Sequence, residues 1–475
     1  MRSQSYTANK DFSFVPPPSC SQYPTGYWSS AVQNSEANPE APVVESEFAS
    51  SPQSLERVLR VFAPLRPSFI YERLSTRTRA PERTTIGFGQ EWRPESTHPD
   101  EPFEAIRRRV AAGRGSPSEG PRGVLAFLSY EALVGDGPVR DEHAPTPYSL
   151  LIQPSAIVEL DHQAGVARLT GPWPHAASLM KDAFTKTRED IVEKPTNIAP
   201  DEGVEAWRAV STEEEFADSA RSLQREIRQR EDVVGVALSV QLERTAAIDP
   251  LDAYLILRRI NPSTCMFFAE EGDFALWGAT SLPIMRVSDR QITAETDGAT
   301  RPAPSGAADA WIPTAKENEE YDLVVAALRE DLSGVIQPES LVFTADREPR
   351  QYFNLRHLFA EVTARLAEGV DAVAALRALT PHGAATGFSK RGAIDLIRAH
   401  DARPRGPYAG AIGFFRHDGS ADAACVIRSA WKSGNVVRTR AGAKIVSGSD
   451  PAAEYRESVS KTLPLRRVVG QLVAS

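Results

Sequence analysis

The chain has 475 residues, 41% of them hydrophobic and 25% charged, the balance of a soluble globular protein long enough to bury a large core. Its net charge of -9 argues against nucleic-acid binding, which needs a basic face to neutralise phosphates. No apolar run approaches the ~20 residues that span a bilayer. Cys20, Cys265 and Cys425 form no Cys-x-x-Cys pair, and the N-terminus lacks the basic start and apolar stretch of a signal peptide, so a reducing cytoplasm is the expected location.

Residues 1–45 are rich in Ser, Pro, Asn and Tyr and show no periodicity; such a segment buries too little apolar area to offset its ordering entropy and is expected to be a flexible tail. An amphipathic helix starts near Leu55. Strands are predicted at 68–72, 122–130, 150–152 and 156–160 from alternation and β-branched content. Residues 188–206 read as a connection, dividing the chain into an N-terminal region, 46–200, and a C-terminal region, 201–475. The second region opens with Ser211-Thr-Glu-Glu-Glu-Phe216, a capping-box start for a helix running to about Arg230. Strands are expected at 233–242, 266–269, 274–279 and 284–287, and helices from near Lys316, near Tyr352, at Asp371 and at Gly392. This mixed order points to an α+β fold more than to a regular βαβ repeat.

Two Glu-x-x-Glu pairs, Glu317 with Glu320 and Glu454 with Glu457, lie on predicted helices, where a spacing of three aims both carboxylates the same way. Two such faces meeting supply oxygen ligands to a hard divalent cation such as Mg2+; a solvated acidic helix surface is the other reading. Arg428 stands in a β-branched apolar stretch, where a charge is costly unless paired, either with a ligand carboxylate or in an internal salt bridge. Tyr408, among the glycines of 405–413, is either a hydroxyl donor to the same anion or a core aromatic. The run Ala441-Gly442-Ala443-Lys444 is either a row of backbone N–H groups offered to an anion or an ordinary tight turn. His357, on the predicted helix with Leu355, Leu358 and Phe359, is either a satisfied core histidine or a general acid or base. The glycine-containing run 381–390 lacks the Gly-Lys-Ser/Thr ending of a phosphate loop.

Taken in order, 68–72, 128–130, Arg259-Ile-Asn-Pro-Ser263 and the motifs of the last third resemble those of the chorismate-utilising enzymes, specifically anthranilate synthase component I and its relatives, over residues 50–470. The resemblance implies one large α/β sandwich of two facing sheets, with helices outside and the active site in the cleft between. It also implies Mg2+ and chorismate, a substrate bearing two carboxylates. By motif, Glu320 and Glu457 match the metal-binding glutamates, with Glu317 and Glu454 as partners through water. Tyr408, Arg428, Gly442, Ala443, Lys444 and Lys461 form the expected substrate-binding set. His357 matches the histidine implicated in pyruvate elimination, and Thr386 and Lys390 join it in the expected catalytic set. Expected partners are the small-molecule substrate, a separate glutaminase subunit supplying ammonia, and a second copy of the chain.

The departures from the family pattern are specific. Leu282 stands where the family places a glutamate that protonates the departing ring hydroxyl. Gly298 occupies the position of a nucleophilic lysine in aminodeoxychorismate synthases, and Gly235 that of the lysine base in isochorismate-type members. Ala384 and Lys444 alter the ligand pocket further. An intact metal scaffold with a changed pocket implies amination, pyruvate elimination or both on chorismate or a chorismate derivative in specialised biosynthesis, with elimination from an already modified derivative as the sharper variant; the alternative is a catalytically degenerate paralogue acting as sensor or scaffold.

Overall fold

A computed structural model of the protein describes residues 43–48, 61–89, 101–113, 123–137, 146–171, 206–302, 312–352 and 355–474, with Leu55, Val58, Leu59 and Ala183 besides. Two antiparallel sheets dominate. The first has twelve strands, running Val43–Glu47, Val166–Thr170, Ala156–Asp161, Pro81–Phe88, Phe69–Leu74, Cys265–Glu271, Phe274–Thr280, Ser429–Ser433, Val436–Ile445, Gly235–Thr245 and Gly387–Phe388, with Arg208–Ala209 also on Gly235–Thr245. The second has eight, in the order Val342–Tyr352, Leu355–Arg365, Gln291–Pro302, Pro283–Ser288, Ala421–Cys425, Ala411–Arg416, Gly123–Leu128 and Ser149–Ile152.

Strands such as Gly123–Leu128 and Ala411–Arg416 are buried at every position, as strands covered on both faces must be. Phe69, Tyr71, Phe267 and Trp431 of the first sheet form one apolar cluster with Leu125, Phe127, Ile412 and Phe414 of the second, between the sheets, while a larger cluster includes helix residues such as Phe103 and Tyr254. Each sheet joins strands from both sides of residue 200: Phe69–Leu74 pairs with Cys265–Glu271, and Gly123–Leu128 with Ala411–Arg416. Of the expected tail, 1–42 lies outside the described residues, while Val43–Glu47 is an edge strand on Val166–Thr170. Most of the expected connection at 188–206 also lies outside them.

The predicted strands of both regions form near their expected bounds, and the helix Glu213–Gln229 carries a complete capping box between Thr212 and Glu215. The helix expected near Tyr352 is instead a strand, Leu355–Arg365, paired with both Gln291–Pro302 and Val342–Tyr352. The Leu, Ala, Glu and Arg content of 355–366 favours a helix, but Leu358, Ala360, Val362 and Ala364 recur with period two and are buried, and pairing on both edges overrides the propensity.

The cavity described below is carried by β1 (Gly235–Thr245), β2 (Gln291–Pro302), α1 (Ala315–Ser333), β3 (Leu355–Arg365), β4 (Val436–Ile445) and α2 (Pro451–Lys461). A buried charge cluster fixes their neighbourhood. Asp401 accepts from the Ser239 amide of β1 at 3.0 Å, pairs with Arg405 at 2.6 Å and with Arg440 of β4 at 3.3 Å. Removing its carboxylate leaves two buried guanidiniums without their anion, a change that costs about 3–5 kcal/mol. Asp401→Ala is therefore expected to lower the urea unfolding midpoint sharply, with Asp401→Asn losing less; an unchanged midpoint contradicts the assignment.

Candidate active site

A cavity of about 470 Å3 opens where β1 and β4 of the first sheet face β2 and β3 of the second, with α1 and α2 closing its flanks. Its floor on the first sheet is β4, whose Gly442 pairs with Ser239 and whose Lys444 pairs with Ala237. A side chain at 442 has no room: a Cβ there falls 2.5 Å from the Leu238 carbonyl and 2.8 Å from the Tyr408 hydroxyl. Glycine thus lets the Tyr408 hydroxyl lie against bare backbone. The run 441–444 is neither a tight turn nor a row of parallel N–H donors; it is regular strand paired with β1, in which successive N–H groups point to opposite sides. Lys461, at the end of α2, donates to the Gly442 carbonyl at 2.9 Å and pairs with Glu457 at 2.8 Å.

Three of the four predicted glutamates line the cavity: Glu320 from α1, and Glu454 and Glu457 from α2. Glu317 does not. Its carboxylate takes both arms of the Arg301 guanidinium, at 2.9 and 2.5 Å, and accepts the Thr314 amide at 2.7 Å in the capping box that starts α1. Among the described residues no group of three His, Cys, Asp or Glu side chains is arranged to hold a metal ion, so the four-carboxylate convergence expected from the sequence is not preformed. The remaining three still fit a hard cation in kind. Burial raises the Glu454 carboxyl above its ordinary range and the neighbouring Glu457 adds to this, a repulsion that a divalent cation relieves.

Arg428 follows the strand Ala421–Cys425 in a left-handed backbone conformation (φ 48°) and lines the cavity, where burial lowers its basicity against the attraction of Asp297. Tyr408 is almost wholly buried, and burial pushes its hydroxyl up to about 12, so it stays a neutral donor. Lys444 sets its ammonium 4.5 Å from the Phe388 ring centroid, and burial lowers its pKa while Glu320 and Asp297 oppose that shift.

His357 lies on β3 rather than on a helix, and its Nδ1 stands 3.7 Å from an Asp297 oxygen on β2. Asp297 and His357 share a face because Asp297 opposes Phe359, two residues along from His357. The register shifts between Gly298 and Thr300, and Ala299 in that shift has φ 50°, a bulge of the kind that re-aims side chains beside sites. Burial lowers the His357 pKa, with Asp297 opposing and Arg428 and Lys461 reinforcing. The sequence reading missed Asp297. Its only signal was a lone carboxylate in a strand opposite a histidine, visible only if 355–365 is read as β.

Thr386 and Lys390 do not reach the cavity. The Thr386 hydroxyl is fully buried and donates to the His382 carbonyl at 3.1 Å, while Lys390 pairs with Asp331 at 2.8 Å and donates to the Ala378 carbonyl at 3.0 Å. Their loop contributes Ala384, Ala385 and Phe388 instead. Leu282 lines the cavity, and Gly298 is packed under α1, where a Cβ falls 2.6 Å from a Val324 methyl.

Residues 66–467 match the family described as chorismate binding enzyme, and the chain belongs to that family. Anthranilate synthase component 1 of Pseudomonas putida is 28% identical over 367 residues, 74% of this chain and 70% of that protein. The corresponding protein of Streptomyces coelicolor is 29% identical over 403 residues, covering 79% and 78%. Among solved structures, anthranilate synthase component I of Streptococcus pneumoniae superposes with a TM-score of 0.64 at 20% identity, covering 91% of this chain and 93% of that one. The menaquinone-specific isochorismate synthase of Escherichia coli gives 0.66 at 19% identity, covering 93% and 99%; both share the fold.

Because Gly442 is hemmed by the Leu238 carbonyl and the Tyr408 hydroxyl, Gly442→Ala forces both to give way. Overpacking of this kind costs about 1–3 kcal/mol. The expected result is a lower denaturation midpoint, only partly restored by adding Tyr408→Phe, since the Leu238 carbonyl remains.

Proposed function

We propose that the chain is a Mg2+-dependent enzyme acting on chorismate or a chorismate derivative by amination, pyruvate elimination or both, in specialised aromatic biosynthesis in the cytoplasm. One observation carries this reading: a single cavity gathers His357, Tyr408, Arg428, Lys461 and three glutamates from elements far apart in sequence, in a chain of the chorismate binding family. Glu320, Glu454 and Glu457 would hold Mg2+, which when bound neutralises a substrate carboxylate. The Arg428 fork and the Lys461 ammonium bind the substrate's anionic groups, and the neutral Tyr408 hydroxyl donates to one of them. Ammonia comes from a separate glutaminase subunit or from solution.

In the elimination, His357 takes a ring proton while the carbon–hydrogen electron pair completes the aromatic ring and the carbon–oxygen bond to the enolpyruvyl group breaks. The departing enolate gains a proton on carbon and leaves as pyruvate. Leu282 has no proton for a leaving ring hydroxyl, and loss of one well-placed general acid costs about 100-fold to 10,000-fold in rate. Elimination from a substrate that no longer carries that hydroxyl escapes the penalty. A second reading, a non-catalytic chorismate sensor or scaffold, draws on the same leucine.

Purified protein with Mg2+ is incubated with chorismate plus ammonia and with aminodeoxyisochorismate, and pyruvate and arylamine fluorescence are followed. Pyruvate from the aminated substrate at ordinary rates, with slow turnover of chorismate plus ammonia, is expected. Mg2+-dependent binding without any product favours the sensor, and absence of both binding and turnover overturns the reading. In the same assay His357→Gln is expected to lose at least ~100-fold in kcat. Leu282→Glu, by returning a proton donor to the cavity, is expected to raise turnover of chorismate plus ammonia.

A further inference from the structure

Asp297 has no part in the mechanism above, yet it stands beside the group that moves the proton. It lines the same cavity as His357, with its Oδ2 3.7 Å from Nδ1 of the imidazole. Both side chains are largely shielded from water, at 18% and 12% exposure, which strengthens their interaction over that of a surface pair. The geometry that joins them is built into the backbone: Asp297 opposes Phe359 in the β2–β3 ladder, and the bulge at Ala299 shifts the register just before Thr300 meets His357. The pairing of Asp297 with Phe359 alone puts Asp297 and His357 on one face of the ladder, because residues two apart on a strand share a face.

We propose that Asp297 is a positioning residue for His357: its carboxylate accepts the Nδ1 proton and so fixes the tautomer in which Nε2 is the proton-accepting nitrogen. A neutral imidazole carries its proton on one nitrogen only, and the hydrogen bond made by that nitrogen decides which one it is. A carboxylate is an acceptor only, so beside Nδ1 it selects the Nδ1–H form. The 3.7 Å separation is an ion-pair distance that closes to a hydrogen bond by a small rotation of either side chain, as catalytic contacts commonly do once substrate is bound. The direction of proton transfer follows: Nε2 takes the ring proton, and the imidazolium so formed lies beside a carboxylate that stabilises it. Arg428 and Lys444, which line the same cavity, also interact with the Asp297 carboxylate. This inference rests on the proposed elimination chemistry for its consequence, but not for its test.

The test is the 15N spectrum of histidine-labelled full-length protein at a pH where the imidazole is neutral, with the His357 resonances assigned from their loss in His357→Gln. Wild-type protein is expected to show a pyrrole-type Nδ1 and a pyridine-type Nε2 at His357. In Asp297→Asn the ring should move toward the Nε2–H tautomer that free histidine favours, and kcat should fall at least ~100-fold with KM changed less than about threefold. Asp297→Glu should recover the tautomer and part of kcat, an outcome that a purely structural role for Asp297 does not give. A wild-type Nε2–H tautomer, or one unmoved by Asp297→Asn, overturns the proposal even if a variant is poorly folded. Failure of the functional reading is distinct: no turnover by wild-type protein, whatever the tautomer.

Discussion

One buried carboxylate holds the frame of the site. Asp401 stands between two guanidiniums that are themselves almost wholly buried, Arg405 and Arg440; the other donors of Arg405 go to backbone carbonyls, and those of Arg440 to backbone carbonyls and the Ser239 hydroxyl. Arg405 reaches the Ala237 carbonyl on β1 at 2.5 Å and the Ala385 carbonyl beside the cavity at 2.8 Å. Arg440 reaches out from β4 to the Pro404 carbonyl at 2.6 Å and the Arg403 carbonyl at 3.0 Å. One charge cluster therefore ties β1, β4, the 383–388 segment and the turn that presents Tyr408. Bonds to carbonyls and the Ser239 hydroxyl satisfy the guanidiniums without adding further charge, so the cluster is tolerable in the interior only as a complete set. The position of the Tyr408 hydroxyl over Gly442 follows from it, because Tyr408 lies three residues beyond Arg405 in a turn closed by the Arg405 carbonyl.

How much of this was legible in the sequence depends on which physical signal each element carries. Strands such as Gly235–Thr245 and Cys265–Glu271 announce themselves by β-branched and apolar runs, and Glu213–Gln229 by a capping box that is purely local chemistry. The strand Leu355–Arg365 is written mostly in helix formers, and only its long-range pairing on two edges makes it β; no local window contains that information. Misplacing it hides Asp297, since the two carboxylate and imidazole groups meet only across the ladder. Glu317 illustrates the opposite failure. Its spacing from Glu320 is right for a shared face, but the same carboxylate is the third residue of a capping box after Thr314, and the cap together with Arg301 takes it. Thr386 and Lys390 sit in a loop whose sequence resembles a ligand-binding one, while its fold turns their polar atoms onto neighbouring carbonyls and Asp331.

The cavity's carboxylates outnumber its lysines and arginines, and the charges are unevenly placed. Arg428, Lys444 and Lys461 meet Asp297, Glu320, Asp450, Glu454 and Glu457 in one space, with Glu457 exposed and Tyr408 buried. A dianionic ligand entering alone would add two charges to an already acidic wall along α2. A divalent cation arriving with it cancels both, which is the electrostatic argument for treating metal and ligand as partners at this site. The cations near Asp297 act differently, since they face a carboxylate that cannot leave and so contribute orientation more than net attraction.

The departures from the family pattern are coupled to one another through space. Gly235 and Ala237 lie on one face of β1, and Lys444 sits opposite Ala237, so its stem runs past Gly235; a Cβ on Gly235 falls 3.2 Å from the Lys444 Cγ. A long side chain at 235 and an extended lysine at 444 thus compete for the same volume, and this chain resolves the competition by bringing the amine in from β4. Gly298 is constrained from another side, because α1 packs directly on it, leaving Val324 and the Tyr321 backbone where any side chain would go. A side chain at 298 therefore requires at least the Val324 side chain to shift. The other departures that line the cavity are Leu282, Ala384 and Lys444, the last with its ammonium over the Phe388 ring.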